Sequence, residues 1–338
     1  MIGKLHYTSG QNHNQKPRLL PSSLSTPDSI NELPPSGAVA ARVIWIVNDG
    51  KPGHLNQSLG LAEALLRAGA DSLHVIPALA GWRASVMWLL KNSPYHTLPP
   101  PDLILGAGHA THLTMLAARR VHGGRALVIM KPSLPRSWFD LCIVPEHDGM
   151  APDARTLTTQ GALNRMRASQ QHQSDRGLIL IGGVSQHFEW NGAAIELQIQ
   201  SVLANTPNVH WTLADSRRTP PAFLDKLSSH PRLQCVPHTT TSPDWLPDQL
   251  AHAATVWVTP DSASMVYEAL SAGADVGVFD LPVNPRSRIG HAIARLADAQ
   301  RITRFISWCA HGTLHPNRHP LAEADRCAQW ILAWLKQN

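Results

Sequence analysis

From residue 43 onward, short apolar runs alternate with stretches of helical periodicity. Residues 43–47 (VIWIV) are continuously apolar and largely β-branched, as a strand buried on both faces should be. Residues 73–76, 103–105, 126–130 and 141–144 read as further strands, with helices over 55–68, 82–91 and 110–121 between them. The stretch 165–176 (RMRASQQHQSDR) is polar and reads as a linker. A second series follows: strands at 178–181, 209–213, 233–236, 255–258 and 276–279, and helices near 193–204 and 262–272. This alternation predicts an α/β fold with parallel sheets. Two such series predict two Rossmann-like domains facing across a cleft, over 41–165 and 177–320. A last helix within 321–338 is expected to pack back across them, and the Pro-, Ser-, Asn- and Gln-rich residues 1–40 to form a disordered tail.

Composition changes this picture little. The 338 residues suffice for two cores, and 43% apolar against 16% charged residues describes a globular chain. The net charge of +5 is scattered, with no basic arm of the kind that binds nucleic acid. Cys142, Cys235, Cys309 and Cys327 form no C-x-x-C pair, so a zinc knuckle is not expected. With no apolar leader and no run near the length of a membrane span, a cytoplasmic location is expected.

Candidate chemistry gathers where strands end. Asp49-Gly50-Lys51-Pro52-Gly53-His54 joins the first strand to the first helix, a place for an anion or a polar substrate or else an ordinary βα turn. Gly182-Gly183-Val184-Ser185 repeats that logic in the second half, where glycine lets backbone approach a phosphate closely. In the stretch 259–270, Asp261 is the expected N-cap, and Asp261, Ser264 and Glu268 fall on one helix face. With Ser262, that face suits a nucleotide: N–H groups and hydroxyls for the diphosphate, Glu268 for the ribose hydroxyls. A capped surface helix with a solvated Glu is the alternative. Arg217 and Arg218 follow a strand, one suited to phosphate and the other to the surface.

In the first half, Gly106-Ala107-Gly108-His109-Ala110-Thr111-His112 is another strand–Gly–helix junction, and Lys131 follows the next strand. His109 and His112 lack a third ligand at suitable spacing, so no metal is expected. In the helix at 81–92, Trp82, Val86, Leu89 and Leu90 form the apolar stripe expected to face the core. Trp88 falls on the far side with Ala84 and Lys91, to touch a membrane surface or a lipid-linked acceptor, or to pack on a neighbouring loop.

Seven stretches, taken in order, resemble the bacterial relatives of the plant "Elongated Mitochondria" family of mitochondrial-fission proteins. They are DGKPGHLNQSLGLAEAL (49–65), PDLILGAGHATHL (101–113), MKPSLP (130–135), FDLCIVPEHD (139–148), LIGGVSQHFEW (180–190), SRRTP (216–220) and VTPDSASMVYEAL (258–270). The chain departs from the pattern at His109, where Arg is common, and in 240–254, which lacks an Asn-Pro-Tyr element. That family in turn resembles GT-B glycosyltransferases of the MurG-like type.

The resemblance implies a donor side at Gly182, Gly183, Ser185, Asp261, Ser262, Ser264 and Glu268, joined by Arg217 and Arg218. It implies an acceptor side at Gly50, Lys51, Gly53, Gln57, Gly106, Gly108, Thr111, His112 and Lys131, with His54 or Asp49 as base. The expected activity is inverting, metal-independent transfer of sugar from a nucleotide-diphosphate sugar. No cofactor is expected beside that substrate, and the implied acceptor belongs to the cell envelope, lipid-linked at the inner face of the membrane. A non-catalytic adaptor at a membrane stays open, since the plant members act in organelle division. A nucleotide-sugar epimerase lacks support in motifs: no Gly-x-Gly-x-x-Gly follows the first strand, and no Tyr precedes a Lys by four residues.

Overall fold

A computed structural model describes residues 43–227 and 230–337; the expected tail at 1–40 lies outside the described residues. The first half runs β1 (Val43–Asn48), α1 (Pro52–Arg67), β2 (Ser72–Pro77), α2 (Gly81–Leu90), β3 (Leu103–Ala107), α3 (His112–His122), β4 (Arg125–Ile129), β5 (Leu141–Pro145) and β6 (Thr156–Thr159). Its strands are parallel, in the order β2-β1-β3-β4-β5-β6. The pleat sends alternate side chains of β1 to opposite faces. Ile44 and Ile46 join Leu61 and Leu65 of α1 in one core, and Trp45 and Val47 join Met115 and Ala118 of α3 in the other.

The second half runs β7 (Gln173–Leu180), α4 (Gly192–Asn205), β8 (His210–Ala214), β9 (Leu233–Val236), α5 (Trp245–His252), β10 (Ala253–Val258), α6 (Ala263–Ala272), β11 (Asp275–Val278), α7 (Arg288–Asp298), β12 (Thr303–Arg304) and α8 (Phe305–His311). This sheet is also parallel, in the order β12-β11-β10-β7-β8-β9. Leu178 and Leu180 pack towards α6, Ile179 and Ile181 towards α4. The chain then returns: α9 (Glu323–Leu335) buries Cys327, Ala328 and Ile331 in the first half's core beside Leu61 and Leu65. Arg67 of α1 holds Asp325 of α9 at 2.6 Å.

The structure revises several local expectations. Helix α1 starts at Pro52, not at 55, because proline's fixed φ and missing N–H suit a first helical position. Gly53 and His54 therefore belong to its first turn, and the connecting loop is only Asp49–Lys51. Residues 173–176 of the expected linker extend β7. Helix α2 is turned over: Ala84 and Met87 are its buried residues, whereas Trp82, Val86, Leu89 and Leu90 face outward.

Candidate functional site

In an open parallel sheet, the strands on either side of a reversal in strand order leave a crevice at their carboxyl ends. The first sheet reverses between β1 and β3, so the two loops that meet there are 49–51 and the turn at Gly108. The second reverses between β7 and β10, where Gly182-Gly183 meets Thr259–Ser262. Both halves thus put glycine-bearing turns where a ligand has room.

At the first crevice, His54 Nδ1 lies 2.9 Å from Asp49 Oδ2. The Asp49 side chain is only 2% exposed, against 20% for His54. Burial pushes the Asp49 carboxyl up, but its hydrogen bonds from His54 and the Lys51 N–H, with their charges, outweigh that and hold it below its ordinary value. An ionised Asp49 only accepts, so the shared proton sits on His54 Nδ1 and leaves Nε2 as a base. Gly108 has φ +82°, and a Cβ there would lie on the His54 ring. The ring therefore rests on bare backbone.

The other expected acceptor residues do not all gather at this dyad. Gly50, Lys51 and Gly53 are exposed beside it. Thr111 is fully buried, its hydroxyl donating to the Gly108 carbonyl at 2.8 Å, and it holds the turn from behind. A Cβ at Gly106 would strike Met115 and Thr111. His112 is buried against Phe139, with Nδ1 3.2 Å from Ser133 Oγ and Nε2 without a partner. Burial and the neighbouring His109 lower its pKa to about 4, so it is neutral. Gln57 turns to Met130, and Lys131 stands in solvent.

At the second crevice the Gly-Gly turn is committed internally. Gly182 N–H donates to Thr259 Oγ1 at 2.7 Å and Gly183 N–H to Asp261 Oδ2 at 2.9 Å. The same Asp261 oxygen meets Arg218 Nη1 at 2.8 Å, while its Oδ1 is buried without a partner. Asp261 is not the N-cap of α6; Ser262 is, and Asp261 instead ties the turn to Arg218. A Cβ at Gly182 would land on Asp261, and one at Gly183 on the Arg218 carbonyl. Close approach is indeed what these glycines permit, but the group approached is protein. Ser185 Oγ accepts from the His187 and Phe188 N–H groups.

Beside this floor lies a cleft of about 710 Å³ that both halves line. Pro52 and Asn56 of α1 form one wall. Across from them, Ser262, Ser264 and Met265 bring the amino end of α6, with Arg217 and Arg218 alongside. Arg217 is exposed and has no hydrogen bond or ion pair among the described residues, which leaves its guanidinium for a ligand. The lining also carries apolar and aromatic side chains, Pro243, Trp245 and Leu246. The cleft therefore offers N–H and guanidinium groups to an anion and an apolar surface to a flat group.

Glu268, on the second turn of α6, does not itself line the cleft; it is 7% exposed and without a hydrogen bond or ion pair among the described residues. Burial alone pushes its carboxyl up to about 7. It is neither the solvated surface Glu nor a carboxylate already satisfied.

Sequence reasoning missed one pair here. Asp215 Oδ1 accepts both the His238 N–H at 2.6 Å and its Nδ1–H at 3.0 Å, so the His238 ring is fixed at the cleft wall. Both residues follow strand ends, β8 and β9, which was the available signal. Nineteen histidines hid it.

A family model described as Mitochondrial fission ELM1 matches residues 52–335. An uncharacterized protein, RP120, of Rickettsia prowazekii is 23% identical over 87% of this chain and 99% of its own length. Among solved structures, a UDP-N-acetylglucosamine 2-epimerase of Listeria monocytogenes, itself described as putative, overlays with a TM-score of 0.58 at 13% identity, covering 88% of this chain and 96% of that one. The UDP-GlcNAc 2-epimerase of Neisseria meningitidis bound to UDP-GlcNAc gives 0.51 at 11% identity over 88% and 100%. At such identities the likeness shows the fold: two doubly wound parallel domains of the GT-B type.

Proposed function

This chain belongs to the mitochondrial fission ELM1 family, and on that footing we propose that it is a glycosyltransferase using a nucleotide-diphosphate sugar. The observation that carries this is the cleft between the halves, whose lining combines the α6 amino end and Arg217 with the ring of Trp245. The diphosphate sits at the α6 amino end and the base against Trp245. The UDP-GlcNAc bound by the Neisseria neighbour is a ligand of this class. Glu268 receives the ribose hydroxyls once the donor covers it.

His54 Nε2 takes the proton of the acceptor hydroxyl as its oxygen attacks the anomeric carbon. The bond from that carbon to the diphosphate breaks, with inversion. The released charge is met by the helix amino end and Arg217 rather than by a metal. Because His54 lies in the first half, the acceptor enters from that side, and we assign it to a lipid-linked envelope compound.

The test is calorimetric titration with UDP, GDP and ADP. Micromolar affinity for one of them, weakened about tenfold or more by Arg217→Gln, is expected. No binding at millimolar nucleotide would end the proposal and leave the adaptor reading, which the internal use of the Gly182 and Gly183 N–H groups favours. The neighbours raise an epimerase again, because the missing Gly-x-Gly-x-x-Gly and Tyr-x-x-x-Lys motifs exclude only epimerases that depend on them. Conversion of the sugar nucleotide without any acceptor would identify that chemistry.

A further inference from the structure

The overturned helix α2 leaves an apolar surface unexplained by either crevice. Trp82, Leu89 and Leu90 are 67%, 74% and 70% exposed. Beside them Trp88, Leu113 and Trp138 line a recess of about 650 Å³ between α2, α3 and the segment after β4. The reason α2 turns this way is local. Its small Ala84 and flexible Met87 fit closely against α3, so the large side chains go outward. An apolar surface of this size on a helix is rarely left bare.

The charge around it is positive on balance. From residue 72 to 139 the sole acidic residue is Asp102, against seven lysines and arginines, so this stretch alone exceeds the chain's net +5. Arg119 and Arg125 share Asp140, and Arg136 holds Asp153. Arg83, Lys91 and Arg120 have no carboxylate partner among the described residues. Two of them lie over the exposed tryptophans: Arg83 is 5.3 Å from the Trp82 ring centroid and Arg120 4.9 Å from that of Trp88. Tryptophan and leucine outward, with cations beside the rings and no anion among them, is the chemistry of a protein surface seated at the headgroup level of an anionic bilayer.

A second copy of the chain fits worse. A two-fold contact would press two copies of the same positive patch, Arg83, Lys91 and Arg120, together. None of the described helices is long and apolar enough to cross a membrane, so contact would be by surface seating.

We propose that the outward face of α2, with Trp82 and Leu89 at its centre and Arg83, Lys91 and Arg120 around it, docks the protein on an anionic lipid bilayer. The docking is independent of catalysis. It also refines the proposed acceptor, a step that rests on the transferase reading. The loop 78–80, which leads directly into α2, lines a recess with Asp49 and Gly50. Seating α2 on the bilayer therefore brings the His54–Asp49 end of the first half near lipid headgroups, where a lipid-linked hydroxyl would be presented.

The experiment is vesicle flotation of the full chain with phosphatidylcholine alone and with added phosphatidylglycerol. Binding to the anionic vesicles that weakens with salt is expected. Trp82→Ser with Leu89→Ser should reduce it at least tenfold, and Arg83→Gln with Lys91→Gln about tenfold. All four side chains lie on the outside of the fold, so melting temperature should not move. Equal flotation of wild type and both double variants, or no flotation of wild type, would overturn the proposal. So would a wild-type dimer, seen by sedimentation, that Trp82→Ser with Leu89→Ser converts to monomer while no species floats. Titration of the same samples with UDP, GDP and ADP keeps the two readings apart. Flotation without affinity for any of the three removes the transferase and leaves the docking surface; affinity for one of them without flotation does the reverse.

Discussion

Replacing Glu268 with Gln isolates the effect of one buried carboxyl. Moved from 4.5 to about 7 by desolvation, Glu268 burdens the folded state with about 3 kcal/mol when it must ionise. Below pH 4.5 the group is protonated in folded and unfolded chains alike, and stability is unaffected. Between 4.5 and 7 only the unfolded chain gives up the proton, so stability declines as pH rises. Above 7 the loss is complete. Glu268→Gln has no such proton and should melt about 6 °C above wild type at pH 8, while matching it near pH 4.5. Thermal unfolding across this range is the assay. Binding adds a second readout, because ribose hydroxyls donating to Glu268 favour its ionised form. Nucleotide binding near pH 6.5 should then release a proton, measurable by calorimetry in buffers of different ionisation enthalpy, and the Gln variant should release none. Superimposable pH–melting curves for the two proteins would refute the burial argument itself.

Further expectations concern the first half. Neutral, buried His112, held near 4, supports the fold fully above pH 6.5 and loses that support as pH falls towards 4. Its trend opposes that of Glu268 between 4.5 and 6.5, so His112→Gln should turn the stability profile there more steeply downward with rising pH, as melting temperatures would show. Gly108→Ala places a methyl on the His54 ring. It should lower transferase kcat about 100-fold while changing nucleotide affinity less than twofold; an unchanged kcat would remove His54 from the reaction.

Much of this architecture was legible because fully buried parallel strands leave continuous apolar runs. The runs at 43–47 and 178–181 announce both sheets. Strand β6 escaped notice because its residues Thr156–Thr159 contain one apolar side chain, Leu157. The face of α2 was misread because periodicity marks where large apolar residues cluster, whereas helix packing on α3 selected the small Ala84. At the site, the strand-end glycines, Asp261 and Arg218 were all marked, but for a ligand and not for one another. Asp261 is close to them only after β7 and β10 pair, and no local pattern encodes that pairing. Spacing also placed Glu268 on the face of Ser264, but not beneath the surface.

The return of α9 to the first half has a consequence for how the chain is made. Translation delivers β1 to β6 first, yet the core that holds Leu61 and Leu65 is complete only when Cys327, Ala328 and Ile331 join it. At ordinary elongation rates the intervening residues take about ten seconds or longer to synthesise. The domain begun earliest is therefore completed last, and a ribosome stalled in the second half would hold it open to chaperones throughout.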